Sequence, residues 1–552
     1  MSAVYTTARH DVEAENEWTV MVFFAGDQDL SPAMTSQLKA IKDAGFQKNT
    51  TVLIHYDPNK RGVGTATFNI NQKRKAELIE EIQKGNTAEP ATRIGDGKDP
   101  FVRNLSEDII DGAPKGATAA EALKTFLEMG GQRYPAKHYM IILVGHGVIV
   151  GNDAFLPDRS PSPDTAITLR QLGKILSGFQ ACVDFHGSTV DLVGLHSCSM
   201  SALEVVYELK DTAKYLLATE GTSFVGSWPY RQMLKKILNT IDEAKRHKND
   251  VPIEQLIMSV QKLCLHNSTD FMFSGLSADL CLCSLQSEKV EELNAPLKKL
   301  TRALKEGLKS ARGKELILLA HLESQSYWQE NYTDLYDFCL CLERKCLQDD
   351  VIQANMAAAC KELRGKLRET NHPDGLVVRS DFFGPLYQYS HGLSVYFPWA
   401  QPVQDSPTLP GDDIMLRYKD YKFTKELGDD SWLSFLEEYF KATRRQKREI
   451  EDNPKLAENG VKAGAVAGNG AKTSMPAVAT FVSSSGGVVD ALTGKTSPDL
   501  GRTSPDLGRT SPDLETASQF GCGCTVKNYP MEFMVSPRAA EDANKGTNRS
   551  KG

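Results

Sequence analysis

Apolar residues in this chain gather into short dense runs, and between them they recur at every third or fourth position. Residues 18–24, 51–56, 140–144 and 190–195 are such runs. Each is too short for a buried helix and mostly apolar, the last broken by Gly194, the pattern of a strand covered on both faces. Helical stripes separate them. Residues 31–44 begin with Ser31 as N-cap and Pro32 in the first turn. Residues 118–129 carry Thr118 and Glu121 at capping-box spacing above an apolar stripe of Leu123, Phe126 and Leu127. A short helix is expected at 169–176. Residues 62–70 read as an edge hairpin and 86–116 as a polar loop. Strand and helix thus alternate, which predicts an α/β fold with a mainly parallel sheet flanked by helices.

The second half changes character. Helical periodicity dominates at 231–244, 252–265, 288–308, 315–322, 335–346, 352–367 and 431–440, with strands expected only at 273–285, 376–379 and 392–397. Beyond residue 450 Gly, Ala, Ser, Thr and Pro take over, the composition of a segment that cannot bury a core. TSPDLGR occurs at 496 and 503 and TSPDL at 510, and the proline in each unit excludes a coiled coil. The expected organisation is a mobile extension over 1–16, an α/β domain over 17–250, a helix-rich region with late strands over 251–448, and a disordered low-complexity tail over 449–552.

Charge and cysteine content remove several classes of function. A net charge of −7 and a pI near 6.0 give no electrostatic footprint for nucleic acid. No apolar run of about 18 residues exists to span a membrane. The N-terminus is acidic where a signal peptide would be apolar, so a cytoplasmic protein is expected. The 11 cysteines include no C-x-x-C pair and read as reduced thiols rather than a zinc or disulfide framework.

Two residues stand out against that background. Cys198 follows the apolar run 190–195, and a helical stripe of Leu203, Val206 and Leu209 comes after it. The thiol is therefore expected in a strand-to-helix turn, where a helix N-terminus favours its anion. His146 and Gly147 follow the run 140–144 in the same way, 52 residues upstream. Ligands of open parallel sheets bind outside the carboxyl ends of the strands. Adjacent strands would bring this imidazole and thiol together there as a nucleophilic pair.

The stretches EWTVMVFFAGDQDL (17–30), DLVGLHSCSM (191–200), YLLATEGTSFVGSWPY (215–230), YTDLYDF (332–338) and HGLSVYFP (391–398) together resemble the clostripain family of cysteine peptidases, over roughly residues 17–445. The resemblance implies a caspase-like fold and peptide hydrolysis through a thioester. It makes Cys198 the nucleophile, His146 the proton carrier, and the backbone N–H groups of Gly147 and Cys198 the oxyanion donors. Relatives prefer Arg or Lys before the scissile bond, which calls for an acid in the pocket. Many place Asp where this chain has His196, and some place one where it has Pro229, so Glu220 is the acid expected to bind substrate. His196 would instead allow a pH-dependent or acidic preference. Relatives also cut their own chain between His and Cys, which makes Arg159, in the proline-rich loop 148–168, the expected cleavage point. Protein or peptide substrates are implied as partners. No cofactor is needed, and calcium enters only through the resemblance. The competing reading is a catalytically silent caspase-like adaptor.

Overall fold

The computed structural model describes residues 16–25, 31–44, 49–56, 66–70, 118–148, 154–155, 167–224, 226–266, 277–327, 330–367, 375–402 and 414–452. The expectations for residues 1–15, 62–65 and 86–116, for Arg159 and most of its loop, and for the tail after 452 lie outside them. Residues to 438 belong to one compact unit, and 439–452 are the described part of a second.

In chain order the strands are β1 (Asn16–Phe24), β2 (Thr50–Tyr56), β3 (Ala66–Ile70), β4 (Ala136–Val144), β5 (Gly147–Val148), β6 (Ala154–Phe155), β7 (Thr189–His196), β8 (Tyr215–Ala218), β9 (Ala278–Ser284), β10 (Ser326–Tyr327), β11 (Tyr332–Asp334), β12 (Val377–Phe383) and β13 (Ser394–Tyr396). Eight of them form one sheet in the order β12-β9-β8-β7-β4-β1-β2-β3. The five strands from β8 to β2 run parallel, while β3 and β9 are antiparallel to their neighbours. The sheet is mainly parallel and flanked by helices, as the pattern of runs and stripes requires, and β4 and β7 are its two middle strands. Both β9 and β12 come from beyond residue 250, so the sheet draws on both halves of the chain.

Dense apolar runs are needed because helices cover both faces. Trp18, Val20, Val22, Phe24, Met140, Ile142, Val144, Leu192 and Leu217 pack with the helices Ser31–Ala44, Tyr230–Arg246 and Ile253–His266. The alternate residues meet helices Ala119–Arg133 and Leu169–Asp184, with Phe23 against Phe126 and Tyr139 edge-on to Phe179. Burying each such side chain contributes about 1.5–3 kcal/mol. Thr118 and Glu121 do form a capping box, and Thr168 and Gln171 form a second one ahead of the 169–184 helix.

Several boundaries differ for physical reasons. The periodic stretch 288–308 is two helices, Ser287–Glu291 and Asn294–Gly307, with Pro296 in the first turn of the second, where its missing N–H costs nothing. The last helix runs through the basic stretch to Asp452. Residues 394–396 leave the main sheet for a three-stranded antiparallel one, β10-β11-β13. Among the described residues no helix is long and apolar enough to cross a membrane.

His321, on the helix Ala311–Glu323, lies between the rings of Phe397 (3.8 Å, 0°) and Trp399 (4.0 Å, 20°). Burial pushes its imidazole down to about 3, whereas in the unfolded chain it protonates near 6.5. The neutral ring's contribution is whole above about pH 6.5 and is lost towards pH 3, at about 1.4 kcal/mol per pH unit. Replacing His321 by Phe should therefore improve stability relative to wild type by about 2 kcal/mol between pH 7 and pH 5. Denaturant titrations at both pH values check this, and a difference independent of pH would refute it.

Candidate active site

The register of the two middle strands brings their tips level. Val144 pairs with His196, and the Gly145 N–H donates to the His196 carbonyl at 3.4 Å. His146 and Cys198 are each two residues beyond that pair, at the carboxyl end of the sheet. His146 is partly buried and Cys198 is 1% exposed. The tips touch through Gly147: a Cβ there would lie 2.7 Å from the Cys198 carbonyl oxygen and 2.9 Å from Ser197 Cβ. Only glycine allows that approach. Gly147 and Val148 then pair antiparallel with Phe155 and Ala154.

Beyond β7 the chain turns at once, with Ser199 in the left-handed region at φ 54°, a conformation non-glycine residues hold only where surrounding structure imposes it. The surroundings here are the residues after β8. Ser199 N–H donates to Gly221 O and Ser201 N–H to Thr219 O, each at 2.9 Å. Ser223 N–H donates to Cys198 Sγ at 3.3 Å, and the thiol faces Ser223 O at 3.6 Å. The segment HGLSVYFP closes the other side: Ser394 N–H donates to Ser201 O at 3.0 Å, and Ala202 bridges Ser394. The expected helix contributes less than its stripe implied. It spans only Leu203–Glu208, starts five residues after the thiol and has no side-chain cap, so its dipole is not what faces the sulfur. A donor that does face it is the Ser223 amide.

Both residues expected to bind substrate are placed inside the protein. His196 is 2% exposed and stacked on Trp228 at 4.6 Å and 7°. Trp228 fits because Gly194 has no side chain: a Cβ there would lie 3.1 Å from the indole. Nε2 of His196 donates to the Phe224 carbonyl at 2.8 Å, and Nδ1 therefore accepts from the Tyr230 hydroxyl at 2.9 Å. Burial pushes this imidazole down to about 3, so it stays neutral, and neither nitrogen is left for a substrate.

Glu220 has no exposed surface, and its Oε2 accepts from Gly392 N–H (2.8 Å) and the Tyr327 hydroxyl (3.2 Å). Burial, followed by the neighbouring Asp334 and Asp279, pushes its carboxyl well above the usual range. An enclosed acid whose charged form is disfavoured is poorly placed to meet the charge of a substrate Arg or Lys.

Asp279 and Tyr387 were not legible as site residues. The Asp279 carboxylate accepts Glu220 N–H at 2.6 Å, Gly221 N–H at 3.0 Å and the Thr219 hydroxyl at 2.7 Å. The Tyr387 hydroxyl accepts Thr222 N–H at 3.1 Å. The available signal for Asp279 was its place as the one charged residue of the expected strand 273–285. Tyr387 had none.

Among the described residues no group of three or more His, Cys, Asp or Glu side chains is placed to hold a metal ion.

The clostripain family (peptidase C11) matches residues 22–403. No curated protein matches the chain. An inactive zymogen C11 protease from Parabacteroides distasonis is 16% identical over 75% of this chain and 98% of its own, with a TM-score of 0.46. A secreted C11 cysteine protease from Bacteroides thetaiotaomicron is 12% identical over 75% of this chain and 99% of its own, with a TM-score of 0.45. The family match spans 382 of the 552 residues (403 − 22 + 1), from β1 through the segment after β13 and across both strand tips. On that match the chain belongs to the clostripain family and is a cysteine peptidase, a hydrolase.

Proposed function

We propose that this peptidase is an endopeptidase whose nucleophile is Cys198 and whose proton carrier is His146. The supporting observation is the contact of Gly147 with the Cys198 main chain, which sets the residue after the imidazole directly against the residue bearing the thiol. Cys198 Sγ attacks the scissile carbonyl as thiolate, and the C–N bond breaks as His146 gives its proton to the departing amine. Water, deprotonated by the same imidazole, then hydrolyses the thioester. The backbone N–H groups of Gly147 and Cys198 are the donors we assign to the oxyanion. This route needs no metal, and a calcium requirement is carried by the resemblance alone.

Cleavage after Arg or Lys also rests on the resemblance, since Glu220 and His196 are enclosed. Incubation with a mixed peptide library, beside Cys198→Ala, tests the whole reading. Cleavage clustered after Arg and Lys in wild type and lost in the variant supports it. Cleavage retained by the variant overturns the dyad, and cleavage after other residues overturns the preference.

Self-processing within 148–168 belongs to the same proposal. Purified protein should yield two fragments joined in sequence at Arg159 and Ser160, read by intact mass, and Cys198→Ala should not. Identical fragment patterns in both would refute it.

A further inference from the structure

Four consecutive main-chain N–H groups, from Glu220 to Ser223, are each pinned by a side chain. The first two donate to Asp279 Oδ2 and Oδ1, the third to the Tyr387 hydroxyl, and the fourth to Cys198 Sγ. The carbonyls on the same stretch are held too, since Thr219 O and Gly221 O accept from Ser201 and Ser199. The Tyr387 ring lies flush on the segment, because a Cβ on Gly221 would be 2.5 Å from its Cζ. Burial, followed by the neighbouring Asp279, pushes the Tyr387 phenol up to about 12, so it stays an intact hydroxyl. Asp279 comes from β9 and Tyr387 from the short turn Pro385–Tyr387, so both fixing groups belong to the second half of the chain.

We infer that Asp279 and Tyr387 are positioning residues for the nucleophile: they fix segment 220–223 so that its last amide points at the sulfur of Cys198. This rests on Cys198 being the nucleophile. An N–H donating to sulfur favours the thiolate over the thiol, and it does so only while it is aimed. Asp279 fixes the first two amides in one carboxylate and Tyr387 fixes the third. With three successive amides held, the fourth has little rotational freedom, so the donor is in place before substrate arrives. Neither Asp279 nor Tyr387 needs to touch the substrate.

Tyr387→Phe is the direct test, because it keeps the ring on Gly221 and removes only the acceptor for Thr222 N–H. The rate of Cys198 alkylation by iodoacetamide is followed between about pH 5 and 9 by the mass of its peptide, which separates it from the exposed Cys182. Burial pushes the Asp279 carboxyl up to about 6, so hydrolysis is compared where that group is a carboxylate. The alkylation midpoint should rise by about one pH unit, and hydrolysis should fall several-fold at pH 7 but little at pH 9. Asp279→Asn, which cannot accept at two oxygens, should shift the midpoint the same way. A midpoint unchanged in Tyr387→Phe, or an equal loss of hydrolysis at both pH values, overturns the inference. Failure of the underlying reading looks different: Cys198→Ala would keep its hydrolysis, whatever the alkylation midpoints show.

Discussion

Replacing Cys198 by Ala is expected to lower peptide hydrolysis by about 10⁴-fold or more while the protein stays folded. Loss of activity follows because alanine offers no nucleophile, and among the described residues no other thiol lies at the tip of β4 or β7. Cys264, Cys339, Cys341 and Cys360 lie on helices, Cys281 and Cys283 on β9, and Cys346 just after a helix. Cys182 is exposed but lies on the helix Leu169–Asp184, not on a strand tip. The fold should survive because the substitution removes one sulfur from a 1%-exposed site and leaves one amide, Ser223 N–H, without its acceptor. Together these losses amount to about 1–3 kcal/mol. Hydrolysis assays beside a thermal melt check both halves, and activity within tenfold of wild type would remove Cys198 from the chemistry.

Gly147→Ala should have the second largest effect, about 10²–10³-fold in kcat with a smaller change in KM. The added methyl would lie 2.9 Å from Met200 Sδ, which can swing aside, but also 2.7 Å from the Cys198 carbonyl oxygen, which cannot. The strand tips must separate, carrying the Gly147 amide and the adjoining His146 away from the thiol. Over-packing of this kind costs about 1–3 kcal/mol, so the melting temperature should fall by a few degrees while the sheet persists. Steady-state kinetics and circular dichroism separate the two effects. Wild-type kcat in a folded Gly147→Ala protein would show that the contact between the tips plays no part in catalysis.

The scaffold was far more legible than the floor beneath the thiol. Short, mostly apolar runs at 18–24, 140–144 and 190–195 are what a sheet covered on both faces demands, so strand identity and the level of His146 and Cys198 could be read directly. Pairing partners inside the core could not. His196 and Glu220 are polar residues near the nucleophile in sequence, which is also how a substrate-binding pair would look. Only the stack on Trp228, made possible by Gly194, and the bonds from Gly392 and Tyr327 show them enclosed. The helical stripe after Cys198 was real, but residues 199–202 are spent on bonds to Thr219, Gly221 and Ser394, which leaves helix only from Leu203. Asp279 and Tyr387 reach the site from 81 and 189 positions after Cys198 (279 − 198 and 387 − 198), a separation that local periodicity does not encode.

Covalent labelling puts the central claim to its most direct test. Wild type, His146→Ala and Cys198→Ala would each be treated with a peptidyl acyloxymethyl ketone ending in Arg, and the adduct located by peptide mass. Wild type should carry one adduct, on Cys198, with labelling markedly slower in His146→Ala and absent from Cys198→Ala. An adduct on any other residue, or equal labelling of all three proteins, would contradict the assignment of these two strand tips as the catalytic centre.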